Sequence, residues 1–300
     1  MNRRSFYSRL ISMFLLASAC FAQNRALTLA YQLTHVDTGE PDPSPDGKKI
    51  VYESLVAGTY QIFTMNTDGT GQVQITNNKE NHDNPIWSPD GKRIAFVSDK
   101  GAGAEVVAVI NADGSGEDQI TSDEIRAIHP KWAPDGKSLL YCTDDDLKPP
   151  KKNPSDIYLV DLATKTSRMV ISGGTNTYPS YSPDGKRIVF RRMLGEMNSE
   201  VFVSDADGTN VRNLTNHPAF DGWPAWSPDG KRIAFSSNRR ANYQIHVMNA
   251  DGTNVRLVAN TEGRATEPRW SIDGSKIYFS NCQKKDYGVD CQILIAELPN

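Results

Sequence analysis

Residues 224–235 read Pro-Ala-Trp-Ser-Pro-Asp-Gly-Lys-Arg-Ile-Ala-Phe, and this stretch decides the fold because it recurs along the chain. The Ser-Pro-Asp-Gly-Lys core also begins at Ser44, Ser88 and Ser182, and variants begin at Ala133 and Ser271. The aspartates of the six copies occupy positions 46, 90, 135, 184, 229 and 273. A period of this size is typical of repeat proteins in which similar units pack side by side.

Each copy predicts four strands. The Pro-x-Trp segment is the first strand, and Ser-Pro-Asp-Gly is a turn in which proline presets φ and glycine takes the strained last position. A β-branched and aromatic strand follows, such as 233–235, and then an alternating strand such as 244–248, an Asp-Gly turn and a short outer strand. The sequence therefore predicts an all-β, six-bladed β-propeller of four-stranded antiparallel blades.

The two ends of the chain predict how the ring closes. The sixth copy has a third strand over 292–296, and the chain stops at Asn300 without a fourth. Near the N-terminus, Tyr31-Gln32-Leu33-Thr34 matches the pattern of an outer strand. We expect this strand to complete the last blade and to remove an exposed sheet edge.

The repeat resembles that of TolB-like propellers, which combine Pro-x-Trp-Ser-Pro-Asp-Gly-Lys-x-Ile-Ala-Phe with Met-Asn-Ala-Asp-Gly and Leu-Thr segments. The resemblance covers residues from about 27 to 300 and includes Met248-Asn249-Ala250-Asp251-Gly252. It implies an extracytoplasmic protein that docks a peptidoglycan-associated lipoprotein and takes part in envelope maintenance. The separate N-terminal α/β domain of that family has no counterpart here, since only a signal and one strand precede the first unit. Contacts made through that domain are therefore not expected.

The first residues predict export. Arg3, Arg4 and Arg9 precede an apolar stretch over 10–17 and then small residues, which is the layout of a secretory signal peptide. We expect cleavage after Ala22, with 1–22 as signal and 23–300 as one propeller domain. The alternative is cleavage after Ala19 with a lipid anchor at Cys20, and the Arg-Arg pair also allows twin-arginine export. The expected location is periplasmic or secreted.

The charge of the chain argues against some classes of partner, and its cysteines predict one disulfide. Lys and Arg total 33 against 36 Asp and Glu, so no global basic field draws the chain to nucleic acid or anionic lipid. In an oxidising compartment, Cys282 and Cys291 are expected to form a disulfide across a short loop. Cys142 is then expected to be a buried thiol at the end of a strand.

In a propeller, the loops of every blade lie on one of two opposite faces. The near-identical Ser-Pro-Asp-Gly and Asp-Gly turns share one face, and the variable loops share the other, where binding is expected. Residues just before the proline of each innermost strand should surround the mouth of the central channel. The predicted partner-binding residues are Glu40, His82, Asp83, Asn84, His129, Tyr178, Asp221, Trp223 and Glu267. Trp223 is the preferred anchor, with packing beneath the loop as the alternative.

Metal and catalytic sites have less support. Asp144, Asp145, Asp146 and Asp156 could bind calcium, although a solvated acidic loop is favoured. The chain has no Gly-x-Ser-x-Gly elbow and no phosphate-binding loop, so we predict a non-enzymatic, monomeric binding module without a cofactor. Two alternatives stay open. One is a channel-sited polysaccharide lyase or hydrolase using a metal with His82 and His129, and the other is a purely structural propeller.

Overall fold

The computed structural model describes residues 30–34, 37–101, 103–143, 155–196, 198–285 and 288–298. Within these ranges the chain forms six four-stranded antiparallel sheets, which confirms the predicted all-β propeller. The first blade consists of β2 (Thr38–Pro43), β3 (Lys49–Val56), β4 (Thr59–Asn66) and β5 (Val73–Gln74). The second consists of β6 (His82–Trp87), β7 (Arg93–Asp99), β8 (Glu105–Asn111) and β9 (Asp118–Gln119).

The next three blades repeat this order from the innermost to the outermost strand. The third consists of β10 (Ile128–Trp132), β11 (Ser138–Cys142), β12 (Ile157–Asp161) and β13 (Ser167–Ile171). The fourth consists of β14 (Thr175–Tyr181), β15 (Arg187–Gly195), β16 (Asn198–Asp205) and β17 (Arg212–Asn213). The fifth consists of β18 (Asp221–Trp226), β19 (Arg232–Arg240), β20 (Asn242–Asn249) and β21 (Arg256–Ala259).

The sixth blade joins the two ends of the chain. It consists of β22 (Arg264–Trp270), β23 (Lys276–Lys285), β24 (Gly288–Glu297) and the N-terminal strand β1 (Ala30–Gln32). Strand β1 lies antiparallel to β24, with Ala30 opposite Ala296. Just beyond β1, the Thr34 hydroxyl accepts a hydrogen bond of 3.0 Å from the N–H of Ile293. The same contact, with nearly the same length, joins Thr121 to the N–H of Val107 within the second blade.

The hydrophobic core lies between neighbouring blades. Blades one and six share a cluster that includes Tyr52, Met65 and Tyr278, and similar clusters fill the other five interfaces. Three tryptophans of the repeat, Trp132, Trp226 and Trp270, pack there beneath arginines of the preceding blade. One example is Arg232, whose guanidinium lies 4.6 Å from the centre of the Trp270 ring. The repeat thus encodes contacts between blades as well as strands within them.

The Ser-Pro-Asp-Gly turns have a structural role. In the fifth blade the Ser227 hydroxyl donates to Asp229 at 2.5 Å and accepts from the N–H of Arg232 at 2.9 Å. The glycine that ends the turn, Gly230, has a φ of 66°. Gly230 also lies close to Pro183 of the preceding blade. A side chain at position 230 would place its Cβ 3.6 Å from Cδ of that proline. These internal bonds explain why the turns are nearly identical.

Candidate functional site

Six equivalent residues have left-handed backbone conformations at one end of the channel. Each stands directly before the proline of an innermost strand, where the pairing with the next strand shifts by a bulge. Their φ angles lie between 51° and 57°. The six are Glu40, Asn84, His129, Tyr178, Trp223 and Glu267. Because a bulge redirects the side chain of its strand, this repeated irregularity aims one side chain per blade at a common region.

The polar members of this set contact each other across blade boundaries. The side-chain amide of Asn84 donates to the Glu40 carboxyl, and the backbone N–H of His129 donates to the side-chain oxygen Oδ1 of Asn84 at 3.2 Å. On the other side, Glu40 and Glu267 line the same small cavity, and the charge of Glu267 raises the pKa of Glu40.

The aromatic members of the set also contact each other across blade boundaries. The His129 ring stacks on Tyr178 with centroids 3.7 Å apart, and the Tyr178 ring lies 5.5 Å from that of Trp223. Because these residues come from six different blades, they meet at the axis. They form the channel mouth on the face that carries the variable loops, and "mouth ring" below denotes these six residues.

One half of the mouth ring is acidic. Glu40 and Glu267 lie beside Glu53, whose strand β3 pairs with the innermost strand of the first blade. Burial raises the pKa of Glu40 well above its ordinary value, and the charges of Glu267, Glu53 and Asp83 raise it further. Burial and the charge of Asp83 likewise raise the pKa of Glu53. A cavity of about 170 Å³ lies between these carboxyl groups, with Tyr60 and Ser280 also on its wall.

The other half of the mouth ring is aromatic and contains a buried cation. Arg191 is 1% exposed, and its Nε donates to the Thr177 hydroxyl at 2.8 Å. Its guanidinium lies 4.7 Å from the Tyr178 ring centre and 5.5 Å from that of Trp223. Phe220 and Tyr243 complete this cluster. Such contacts between a cation and ring faces stabilise a charge that is withdrawn from water.

Four residues beside the mouth ring were not predicted from the sequence, namely Glu53, Arg191, Phe220 and Tyr243. Two of them, Glu53 and Arg191, nevertheless leave a signal in the sequence. Both follow the aromatic residue of a second strand, in Phe190-Arg191 and Tyr52-Glu53, where other copies have small or apolar residues. A charge at a position that is otherwise part of the core indicates a special environment.

A larger cavity, of about 720 Å³, opens beside the junction of the two halves. Trp223, Arg264 and Glu267 line it, together with Glu262 and Lys284. The Arg264 guanidinium lies 4.3 Å from the centre of the Tyr243 ring, so the wall presents an arginine supported by aromatic faces. This cavity can take a side chain that has both apolar and polar parts.

The structure corrects the expected placement of two residues. His82 is fully buried, bonds Asn78 at 2.8 Å and contacts the edge of Phe96, and burial lowers its pKa to about 4. Asp221 is also fully buried and forms an ion pair of 2.6 Å with Arg239. Both side chains therefore serve the interior of their own blades and lie outside the mouth ring.

The remaining predicted residues lie at or beside the mouth. Asp83 is adjacent to Asn84 and acts electrostatically on Glu40 and Glu53. Trp223 is only 6% exposed and packs against Phe220 and Tyr243. It therefore supports the mouth through packing and borders the larger cavity.

The calcium candidates are not brought together among the residues that the structure describes. Asp144, Asp145 and Asp146 lie outside those residues, and Asp156 is partly buried, with its N–H bonded to the Thr143 hydroxyl at 3.1 Å. Within the described ranges, no three or more His, Cys, Asp or Glu side chains form a group suited to a metal ion.

In the same ranges no helix has the length and apolarity required to cross a membrane.

The cysteines occupy two different environments. Cys282 and Cys291 lie opposite each other in β23 and β24 and are joined by a disulfide. Cys142 is buried in the third blade, where its sulfur lies 3.2 Å from Nδ1 of His129. The thiol thus packs directly beneath a member of the mouth ring.

A closed ring of six four-stranded antiparallel sheets around a channel defines a six-bladed β-propeller. Within this class, residues 30–149 and 150–297 match the family model PD40, the TolB beta propeller domain, and the chain belongs to that family.

The chain is also similar in sequence to curated members of the Tol-Pal system. The Tol-Pal system protein TolB of Francisella tularensis subsp. holarctica is 35% identical over 185 residues, which is 60% of this chain and 41% of that protein. The chain therefore spans about two fifths of the length of this curated relative.

Two solved structures share the fold. A putative TolB from Agrobacterium tumefaciens superimposes with a TM-score of 0.68 at 21% identity, over 90% of this chain and 97% of that chain. An oligogalacturonate lyase in complex with manganese gives 0.61 at 15% identity, over 92% and 95%.

Proposed function

We propose that this chain is an exported, periplasmic propeller that binds a partner protein at the mouth ring and serves the cell envelope in a Tol-Pal-type role. Membership of the PD40 family and the similarity to Tol-Pal system proteins support this role. The resemblance makes a peptidoglycan-associated lipoprotein the first candidate partner. The leader over 1–22 is proposed as a signal peptide, and the Cys282–Cys291 disulfide is of the kind that persists in an oxidising compartment.

The observation that carries the proposal is the division of the mouth ring into an acidic half and an aromatic half. Carboxyl groups with raised pKa values, such as those of Glu40 and Glu267, ionise more readily when a cation replaces the lost water. The adjacent cavity combines the aromatic surface of Trp223 with charged groups such as that of Arg264. We therefore infer that the partner inserts a basic side chain against the carboxyl groups and a side chain with both apolar and polar parts into the larger cavity.

The polysaccharide lyase alternative requires histidines that act together at a metal. His82 is enclosed by Asn78 and Phe96, whereas His129 lies in the mouth ring on Tyr178. The likeness to an oligogalacturonate lyase is at 15% identity and concerns the fold. Binding is therefore the function that the arrangement of these side chains supports best.

The test is a crosslinking pull-down from the native envelope fraction. The baits are the wild-type protein, the double variant Glu40→Gln/Glu267→Gln, and Met169→Ala as a control. Met169 is an exposed apolar residue on the outer strand β13, far from the mouth. The glutamine changes remove charge while keeping side-chain size, which makes them preferable to truncation of the packed Trp223.

We expect wild type and Met169→Ala to enrich the same envelope protein, and the double variant to lose at least about tenfold of it, because buried charge pairs contribute strongly to binding. A chelator should leave the complex intact. Equal enrichment by all three baits would place the binding surface elsewhere. Degradation of acidic polysaccharide that stops on chelation would favour the lyase instead.

A further inference from the structure

The opposite end of the channel contains a third cavity, of about 420 Å³. Its inner wall is formed by the residues two positions after each member of the mouth ring. These are Asp42, Ile86, Lys131, Ser180, Ala225 and Arg269. All six blades contribute equivalent positions, so the cavity is the end of the channel on the Ser-Pro-Asp-Gly face.

The charges inside this cavity do not balance. The Asp42 carboxylate accepts from the N–H of Trp87 at 2.9 Å and lies 3.6 Å from Nε of Arg269. Among the described residues, Lys131 has neither a hydrogen-bonding partner nor a carboxylate within ion-pair distance. With Lys131 protonated, two cations and one anion leave one net positive charge inside this cavity.

The rim of the cavity is apolar. It is formed by the prolines of the turns and, in the sixth blade, by Ile272, which is 53% exposed. The prolines are Pro45, Pro89, Pro134, Pro183 and Pro228. Proline and aliphatic side chains give the entrance a surface suited to the apolar body of a ligand, while the charged groups lie deeper.

We propose that this end of the channel is a binding site for a monocarboxylate ligand, with the carboxylate held by Lys131 and Arg269 and the apolar body packed against the proline rim. The site is independent of the partner-binding proposal, because it lies at the other end of the channel and uses none of the mouth ring. A monoanion matches the single excess charge. A phosphate dianion is disfavoured because the fixed Asp42 carboxylate would repel its second charge.

The pKa of Lys131 can report directly whether the carboxylate site is occupied. Burial lowers its pKa to about 7, and repulsion from Arg269 adds to the effect, whereas Asp42, Glu40 and Glu267 raise it. A carboxylate bound next to the ammonium favours the protonated form. Occupancy of the site should therefore raise the pKa of Lys131 toward the value of an ordinary lysine.

Benzoate is the probe, and its binding is measured by titration calorimetry and by ligand-observed NMR. Benzyl alcohol is the neutral comparison and phenyl phosphate the dianionic one. Lys131→Met removes the charge and Lys131→Arg keeps it. Lys186→Met is the control, because Lys186 is an exposed lysine in the Ser-Pro-Asp-Gly-Lys turn of the fourth blade, on the same face of the propeller but outside the cavity.

We expect saturable binding of benzoate to wild type and Lys186→Met, retained by Lys131→Arg. Lys131→Met and the neutral probe should each bind about tenfold more weakly or worse, as expected when a charge-assisted hydrogen bond is lost. NMR titration of the Lys131 side chain should show its pKa rising when benzoate is added.

Three results would overturn the proposal. They are the absence of saturable benzoate binding, equal binding by a folded Lys131→Met variant, and tighter binding of phenyl phosphate than of benzoate. If Lys131→Met does not fold, the Lys131→Arg variant and the NMR titration of the wild type decide the question, since an unchanged lysine pKa at saturating benzoate excludes contact.

Discussion

The imidazole of His129 stacks on the phenol ring of Tyr178 with a centroid separation of 3.7 Å, although the two residues belong to neighbouring blades. Both have a φ of 53° and both precede a proline. A proline normally holds the residue before it in an extended conformation with negative φ. The contact at the axis therefore depends on an unusual backbone conformation that recurs in every blade.

The acidic half of the mouth ring predicts an unusual dependence of stability on pH. The folded protein holds protons on Glu40, Glu53 and Glu267 more tightly than the unfolded chain, because burial raises all three pKa values. Their contribution to stability is fully present below the unfolded value of about 4.5 and decreases as the pH rises above it. Glu40→Gln, which can keep the bond from Asn84, should raise the melting temperature at pH 8 and change it little at pH 4.

Melting curves of wild type and variant between pH 4 and pH 8 check this prediction, with Glu117→Gln in an exposed turn as the control. Carboxyl groups elsewhere are common to both proteins, so only the difference between the curves is informative. A Glu40→Gln variant that is equally destabilised at both ends of the range would contradict it.

Closure of the ring can be tested with a single hydroxyl group. Thr34 is 2% exposed, and its hydroxyl accepts from the N–H of Ile293 in β24. Thr34→Val should reduce the free energy of unfolding by about 1–3 kcal/mol, since it leaves that N–H without a partner. Thr121→Val breaks the equivalent bond within one blade and should have a similar effect in urea denaturation. A neutral Thr34→Val beside a destabilising Thr121→Val would show that β1 does not close the ring.

The sixth turn offers a stabilising substitution. Ile272 stands where the other five turns have proline, and its N–H donates no hydrogen bond among the described residues. Ile272→Pro should increase the free energy of unfolding by about 0.4–1 kcal/mol by restricting the unfolded chain. Ile272→Ala, which changes the side chain without fixing φ, should remain within about 0.5 kcal/mol of wild type. Denaturation in urea measures both, and a destabilised proline variant would mean that this turn differs from the others.

Signal cleavage and the disulfide together predict the number of reactive thiols in the unfolded mature protein. If cleavage follows Ala22, the mature chain keeps three of its four cysteines, and Cys282 with Cys291 form one disulfide. Unfolded mature protein should then have one reactive thiol without reductant, that of Cys142, and three after reduction. Thiol titration combined with the intact mass also reports lipid attachment at Cys20. Three reactive thiols without reductant would rule out the disulfide.

The blades and turns were predictable because each is encoded locally and six times. Ser227, Asp229 and Gly230 bond within one turn, so reading one copy predicts the rest. The proline after each member of the mouth ring is also visible in the sequence, so all six members were among the nine predicted residues.

The direction of the side chains was harder to predict. In a regular strand His82 and Asn84 would point to the same side, but the bulge at Asn84 redirects its side chain toward the axis while His82 stays inside the blade. The aromatic environment of Arg191 depends on Tyr178 in its own blade and on Phe220 and Trp223 in the next blade. Such cross-blade contacts follow from the curvature of the ring and leave little trace in a single copy.

The bond between Thr34 and Ile293 spans 259 positions of the chain. When the polypeptide is synthesised from its N-terminus, β1 has no partner until β24 (Gly288–Glu297) has been made. The first five blades contain all of their own strands and can form earlier, whereas the sixth needs both β1 and β24. Completion of the sixth blade is therefore timed by β24, and a ribosome that stops before residue 288 releases a chain in which β1 and β23 lack the strand that pairs with both and remain available to other chains.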